Sequence, residues 1–134
     1  MFLQPKKSKY KKHRKIKLNK FNFKSNKLIF GTIGLQAIES GTITSRQLEA
    51  SRQAINRRLK RKGKIWIRIF PSIPVTSKPT EVRMGKGKGN VSYWVAKVSA
   101  GSIIFEICNK SISNSLRALR TGNAKLPLKT QVIT

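Results

Sequence analysis

From residue 64 to residue 70 the chain reads KIWIRIF, and apolar and other side chains alternate strictly. Successive side chains of a strand point to opposite faces. Ile65, Ile67 and Ile69 therefore share one face, and Trp66, Arg68 and Phe70 share the other. Three β-branched residues at period two make this a strand, so the chain must build a sheet around it. Pro71, Pro74 and Pro79 follow. Proline fixes φ and offers no ladder donor, so the strand is expected to end there and a stiff loop to begin. A return strand is expected over 91–98.

Between these strands lies a loop with Arg83, Met84, Gly85, Lys86, Gly87, Lys88 and Gly89. Glycine tolerates positive φ and lets backbone approach a partner closely. The lysines between the glycines prevent apolar packing. A hairpin holding out such a finger suits an anionic partner, and the rest of the chain reads as support for it. The finger is not a P-loop, because the four-residue gap and the Lys-Ser/Thr ending are missing. Nor is it a dinucleotide fingerprint, because a strand follows it rather than a helix.

Charge identifies the partner class. Thirty Lys and Arg against four acidic residues in 134 positions give a formal net charge of +26. Such a chain repels itself unless a polyanion neutralises it. A pI near 11.5 with clustered cations is the footprint of nucleic-acid binding. A basic membrane-surface protein would want an amphipathic helix with Trp or Leu on one face. No apolar run approaches the ~20 residues of a spanning helix. No membrane partner is expected. The lone Cys108 has no intramolecular disulfide partner and reads as a small buried hydrophobe.

Residues 1–27 form a basic N-terminal extension, and 28–134 read as a single domain. The extension carries Lys6, Lys7, Lys9, Lys11, Lys12 and Arg14, then Lys15, Lys17, Lys20, Lys24 and Lys27, with no acidic residue. Like charges in a block stay extended until a partner screens them. A mitochondrial presequence would be Arg- and Ser-rich and amphipathic, whereas this segment is Lys-rich without a clear apolar face. No secretory apolar region follows the first basic residues.

Within the domain, 28–38 reads as a strand bulged at Gly31 or Gly34, and 39–41 as a turn. Thr44 and Gln47 form a capping-box pattern, which starts a helix expected to reach Lys62, with Gly63 as its stop. Leu48, Ala54, Ile55 and Leu59 share one face. Arg46, Arg52, Arg57, Arg58, Arg61 and Lys62 cover much of the remainder, with Glu49 the only acid among them. A phosphate-facing helix follows. A strand is expected over 102–108, joined through Ala100-Gly101. A short helix near Ser111 carries Leu116 and Leu119, and Thr121-Gly122-Asn123 weakens its second half. Residues 128–133 close as a strand. Trp66, Tyr93 and Trp94 read as core rather than as base-stacking platforms.

The residues for catalysis are missing. Glu39, Glu49, Glu81 and Glu106 lie far apart, Asp is absent, and the single histidine, His13, sits in the extension. A His-based dyad or a His/Cys metal site has no material. No enzyme activity, catalytic residue, cofactor or metal is expected.

The chain closely resembles the ribosomal large-subunit protein L sixteen family, of bacterial and organellar type. The resemblance rests on LQPKKSKYKKHRK at 3–15, TSRQLEASRQAINRRLKRKGK at 44–64 and IWIRIFPSIPVTSKP at 65–79. EVRMGKGKGN at 81–90, YWVA at 93–96 and KLPLKT at 125–130 complete it. Residues 18–27 are richer in Lys and Asn than is usual, and Thr121-Gly122-Asn123 replaces an alanine-rich stretch. The resemblance implies an α+β domain, mainly an antiparallel sheet with two helices packed on it. It also implies a place beside the aminoacyl-tRNA site of the large subunit. The implied partners are large-subunit ribosomal RNA, aminoacyl-site tRNA and neighbouring ribosomal proteins.

The loop from Arg83 to Gly89 would point toward the peptidyl-transferase region. Lys6, Lys7, Lys9, Lys11, Lys12, Arg14, Arg46, Arg52, Arg57, Arg58, Arg61 and Arg68 would bind rRNA. A histone-like architectural nucleic-acid-binding protein is the alternative with the same charge. Heavy use of Lys, Ile and Asn in a bacterial-type sequence suits an AT-rich organellar genome. A mitochondrial ribosome is therefore expected, with a plastid ribosome second.

Overall fold

The computed structural model describes residues 3–10, 12–14 and 21–134; Lys11, Lys15, Lys17 and Lys20 of the extension lie outside them. Among the described residues, in chain order, are β1 (Ile33–Ala37), β2 (Gly41–Thr44), α1 (Ser45–Arg58), β3 (Lys64–Ile67) and β4 (Ile73–Ser77). After them come β5 (Asn90–Val98), β6 (Ile103–Cys108), α2 (Ile112–Asn123) and β7 (Thr130–Ile133). The expected α+β class is observed, but with two antiparallel sheets: one ordered β3-β6-β1-β7, the other β2-β5-β4.

The alternation at 64–70 organises the larger sheet. Ile65 and Ile67 stand opposite Ile107 and Phe105 on β6, which stand opposite Ile33 and Leu35 on β1. These rows form one core with Leu48, Ile55 and Leu59 of the α1 region and Ala118 and Leu119 of α2. β3 ends at Ile67 rather than at residue 70. The Arg68 amide still donates to Ile104 O at 2.9 Å just past the end of the strand.

The opposite face of this sheet is also covered. Trp66 stands opposite Glu106, and Glu106 opposite Gly34. Residues 28–31 cross that face, where a Cβ on Gly34 would lie 2.5 Å from Leu28 Cδ2. The Glu106 carboxylate, wholly buried, accepts the amides of Ile29 at 3.3 Å, Phe30 at 2.6 Å and Gly31 at 2.8 Å. Arg68 completes its shell with an ion pair. The Phe30 ring stacks on Trp66 with centroids 6.0 Å apart, and the Arg68 guanidinium lies 5.4 Å from the Phe30 centroid. Burial is the largest influence on the Glu106 carboxyl and pushes its pKa up. The amides of Phe30 and Gly31, the Arg68 guanidinium and the Ile29 amide together outweigh it, so the pKa lies below the usual carboxylate range.

Several expectations are corrected. β2 and β4 form where a turn and a proline-stiffened loop were expected. β4 is an edge strand, where Pro74 is tolerated because its missing N–H need not serve a ladder. The finger's hairpin is therefore β4–β5, with Ser77 opposite Asn90, and β3 belongs to the other sheet. The irregularity in β1 falls between Leu35 and Gln36, not at its glycines.

The capping box is present, with Thr44 Oγ1 accepting the Gln47 amide at 3.2 Å and Gln47 Oε1 accepting the Thr44 amide at 2.9 Å. α1 stops at Arg58, four residues short of Lys62, because Lys60 and Arg61 turn into left-handed conformation. Cys108 is exposed, not buried. It shares the Glu106 face but lies at the end of β6, past the segment that covers that face.

Gly122 does not weaken α2; it is where the helices touch. A Cβ there would lie 2.4 Å from Ile55 Cγ1, and Ser51 Oγ donates to Gly122 O at 2.9 Å. Gly122→Ala should raise helix propensity by about 1 kcal/mol. Ile55 is fully buried and has nowhere to go, so overpacking costs about 1–3 kcal/mol. A lower melting temperature is expected, against the propensity trend.

Glu106→Gln should cost about 3 kcal/mol in urea denaturation at neutral pH, because it leaves a half-buried Arg68 unpaired. The folded pKa is depressed, so this stability is complete above the unfolded carboxylate range. It is lost as pH falls through the folded value. The variant's acid limb should be correspondingly flatter.

Candidate nucleic-acid interface

The finger stands outside both sheets. β4 and β5 pair down to Ser77–Asn90, and the intervening chain, 78–88, is exposed throughout. Met84 at the tip is 99 % exposed. Gly85 and Gly87 take φ of 94° and 84°, and Lys86 between them takes 52°. Three consecutive residues in the left-handed region curl the tip tightly, and its lysines stay exposed, which suits an anionic surface. Lys78 Nζ donates to Gly85 O and ties the tip back to the neck. Gly89 serves differently, because a Cβ there would lie 2.3 Å from Ser77 O.

The basic extension reaches the same place. Lys12 Nζ donates to Lys88 O at 2.6 Å, and Lys88 Nζ donates to His13 O. Beside this junction a pocket of about 320 Å³ lies on the smaller sheet, lined by His13, Arg14, Lys88, Tyr93 and Lys97. Tyr93 is 43 % exposed, so its ring is available rather than core, contrary to expectation. Lys6, Lys7 and Lys9 are exposed nearer the start of the chain, and Lys11 falls outside the described residues.

The cations of α1 divide. Arg46, Arg57 and Arg58 are exposed, as is Arg61 just beyond the helix. Arg52 is half-buried and held by Glu49 in a two-pronged ion pair at 2.7 and 2.9 Å. The Arg52 guanidinium pulls the Glu49 carboxyl down to about 2. Arg68, grouped with the RNA-facing cations on sequence, lies on the covered sheet face and pairs with Glu106. Both arginines are ion-paired within the molecule, while among the described residues no exposed Lys or Arg forms an ion pair, and of these only Lys12, Lys78 and Lys88 donate side-chain hydrogen bonds to protein groups.

Lys78 and Lys97 escaped the sequence reading. The signal that could have found Lys78 is its position just before Pro79, at the end of an alternating run that the prolines disguised.

A family profile described as ribosomal protein L16p/L10e matches residues 5–133. The chain belongs to this family. Curated relatives span nearly its full length. The large ribosomal subunit protein uL16 of Bartonella quintana is 53 % identical over 131 residues, 98 % of this chain and 96 % of the relative. That of Caulobacter vibrioides is 52 % identical over 132 residues, 98 % of this chain and 92 % of the relative. That of Cereibacter sphaeroides is 51 % identical over 131 residues. Membership makes the chain a ribosomal protein rather than an enzyme. The family match includes the finger and most of the extension.

Gly89→Ala should distort the finger's neck, because the obstructing atoms are backbone. Gly87→Ala meets open space and carries only the strain of its φ, about 1–2 kcal/mol. Amide chemical shifts should therefore change across 76–91 in the first variant and only around residue 87 in the second.

Proposed function

We propose that this chain is a structural constituent of the large ribosomal subunit, binding large-subunit rRNA near the aminoacyl-tRNA site. Its finger, Arg83 to Gly89, helps position tRNA for peptidyl transfer. The observation that carries this reading is the exposed cationic loop on a paired two-stranded neck, in a chain whose relatives are large-subunit proteins. Exposed Lys and Arg bind phosphates by neutralising charge and releasing counterions. Folded RNA is recognised through shape, phosphates and 2′-hydroxyls. The protein thus supplies positioning and electrostatics, and RNA performs the chemistry. Neighbouring large-subunit proteins are further partners.

In this reading residues 1–27 are a basic extension that runs along rRNA in the particle. Lys6, Lys7, Lys9, Lys11, Lys12, Arg14, Arg46, Arg57, Arg58 and Arg61 contact rRNA. Arg52 and Arg68 act from within the fold, through Glu49 and Glu106. We place the particle in the mitochondrion on the strength of a Lys-, Ile- and Asn-rich sequence of bacterial type. Sedimentation of the chain with ribosomes of purified organelles is expected; recovery from bacterial ribosomes would overturn that placement.

The double variant Arg83→Ala/Lys86→Ala should keep the free domain's stability within about 1 kcal/mol, as at exposed positions generally. It should enter large subunits at full occupancy, because the extension, α1 and the turn after it, Lys60 to Lys62, hold more than half of the cations. Binding of tRNA at the aminoacyl site and peptide-bond formation should both fall. Full occupancy with both unchanged would reject a role for the finger. Loss of occupancy would make it an assembly element instead.

A further inference from the structure

A second cationic site lies away from the finger. A pocket of about 830 Å³ opens between the end of α1 and the start of α2. Arg58, Lys60, Lys62 and Lys110 line it, and no acidic residue does so among the described residues. Four exposed like charges around one concavity raise the local positive potential and attract an anion.

The backbone holds them there. Lys60 and Arg61 take φ of 52° and 61°, a conformation that side chains other than glycine disfavour. The turn is nonetheless fully hydrogen-bonded. Lys60 N donates to Arg57 O at 3.1 Å, Arg61 N to Asn56 O at 3.2 Å and Lys62 N to Leu59 O at 2.9 Å. Non-glycine residues held this way concentrate at ligand clamps. The turn is also pressed against β6, since a Cβ on Gly63 would lie 2.8 Å from Cys108 O. Ser111 and Asn114 bring the N-terminal, electropositive end of α2 to the same pocket.

We propose that this pocket seats two adjacent phosphates of one bent segment of RNA backbone, as an anchor separate from the finger. The inference rests on the rRNA-binding reading above and deepens it. One phosphate has too little charge for four cations, and an extended duplex backbone is too straight to enter a concavity. A sharply turned strand brings two phosphates to one place. Lys60 and Lys62 from the turn, Lys110 from just before α2 and Arg58 from the end of α1 then act as ligands from different elements.

The exposed Cys108 lines the pocket and is the chain's one cysteine, so its alkylation reports on occupancy. In the free full-length chain, at constant ionic strength, inorganic pyrophosphate should slow iodoacetamide alkylation of Cys108 several-fold relative to chloride. Orthophosphate should slow it less. An unchanged rate with pyrophosphate would overturn the proposal without recourse to any variant.

The triple variant K60Q/K62Q/K110Q should lose that protection. It should also lower the salt dependence of binding to a bacterial large-subunit rRNA transcript by about 1.5 in the log–log slope, for two phosphates at roughly 0.7–0.9 each. The control R117Q/R120Q/K125Q removes equal charge from α2 and the residues just after it, outside the pocket, and should change the slope clearly less. Equal loss in both variants would reduce the pocket to general charge and overturn the proposal. Failure of the unaltered chain to bind rRNA would instead defeat the proposed function, while the pyrophosphate measurement would still decide the pocket.

Discussion

The Glu106 carboxylate is the interaction on which the rest of the fold depends. It is the one acid at the centre of a protein that otherwise carries a large excess of cations. Its strand, β6, lies between β3 and β1, and its side chain leaves the sheet on the face away from the helices. There it gathers three backbone amides from residues 29–31 and the Arg68 guanidinium. A buried carboxylate is costly unless its oxygens are saturated with donors, and these four groups provide that saturation. The segment so held covers a sheet face that would otherwise meet solvent. With the helices packed on the other face, β1 is buried along its whole length.

That arrangement gives the excess charge a rigid base. The helices cover one face of the larger sheet, with Gly122 allowing α1 and α2 to meet closely, and residues 28–31 cover the other. Cations not paired inside are left on the surface, many of them on the finger, the exposed side of α1, the turn after it and the extension. Charges at these positions cost little apolar burial and are free to meet phosphates. Such a division suits a protein that neutralises RNA without itself becoming unfolded by its own repulsion.

The finger and the pocket beside α2 use glycine and lysine differently. In the finger, open space surrounds Gly85 and Gly87, and their positive φ shapes a loop that has no core to lean on. At the turn after α1, lysine and arginine themselves take the left-handed conformation and are held by hydrogen bonds to the helix end. The first arrangement suits a loop that fits itself to a surface. The second suits a preformed seat whose charges are in place before the ligand arrives.

Local pattern alone determined the strand beginning at Lys64, the capping box at Thr44, the cationic exposed finger and the polyanionic partner. Alternation, capping chemistry and net charge each act over a few residues or over composition as a whole, so no tertiary information is needed to read them. The family was legible for the same reason, in contiguous blocks.

Tertiary structure decided what depends on distant residues meeting. β4 was hidden by Pro74, which is harmless only because that strand lies at an edge. Gly122 reads as a helix breaker until Ile55 is seen against it. Arg68 looks like one more RNA-facing cation in sequence, and only the pairing of β3 with β6 brings it to Glu106. Local propensity describes a residue's own conformational cost. Whether a charge faces solvent or a buried partner is set by which strands lie side by side, and that is a property of the whole fold.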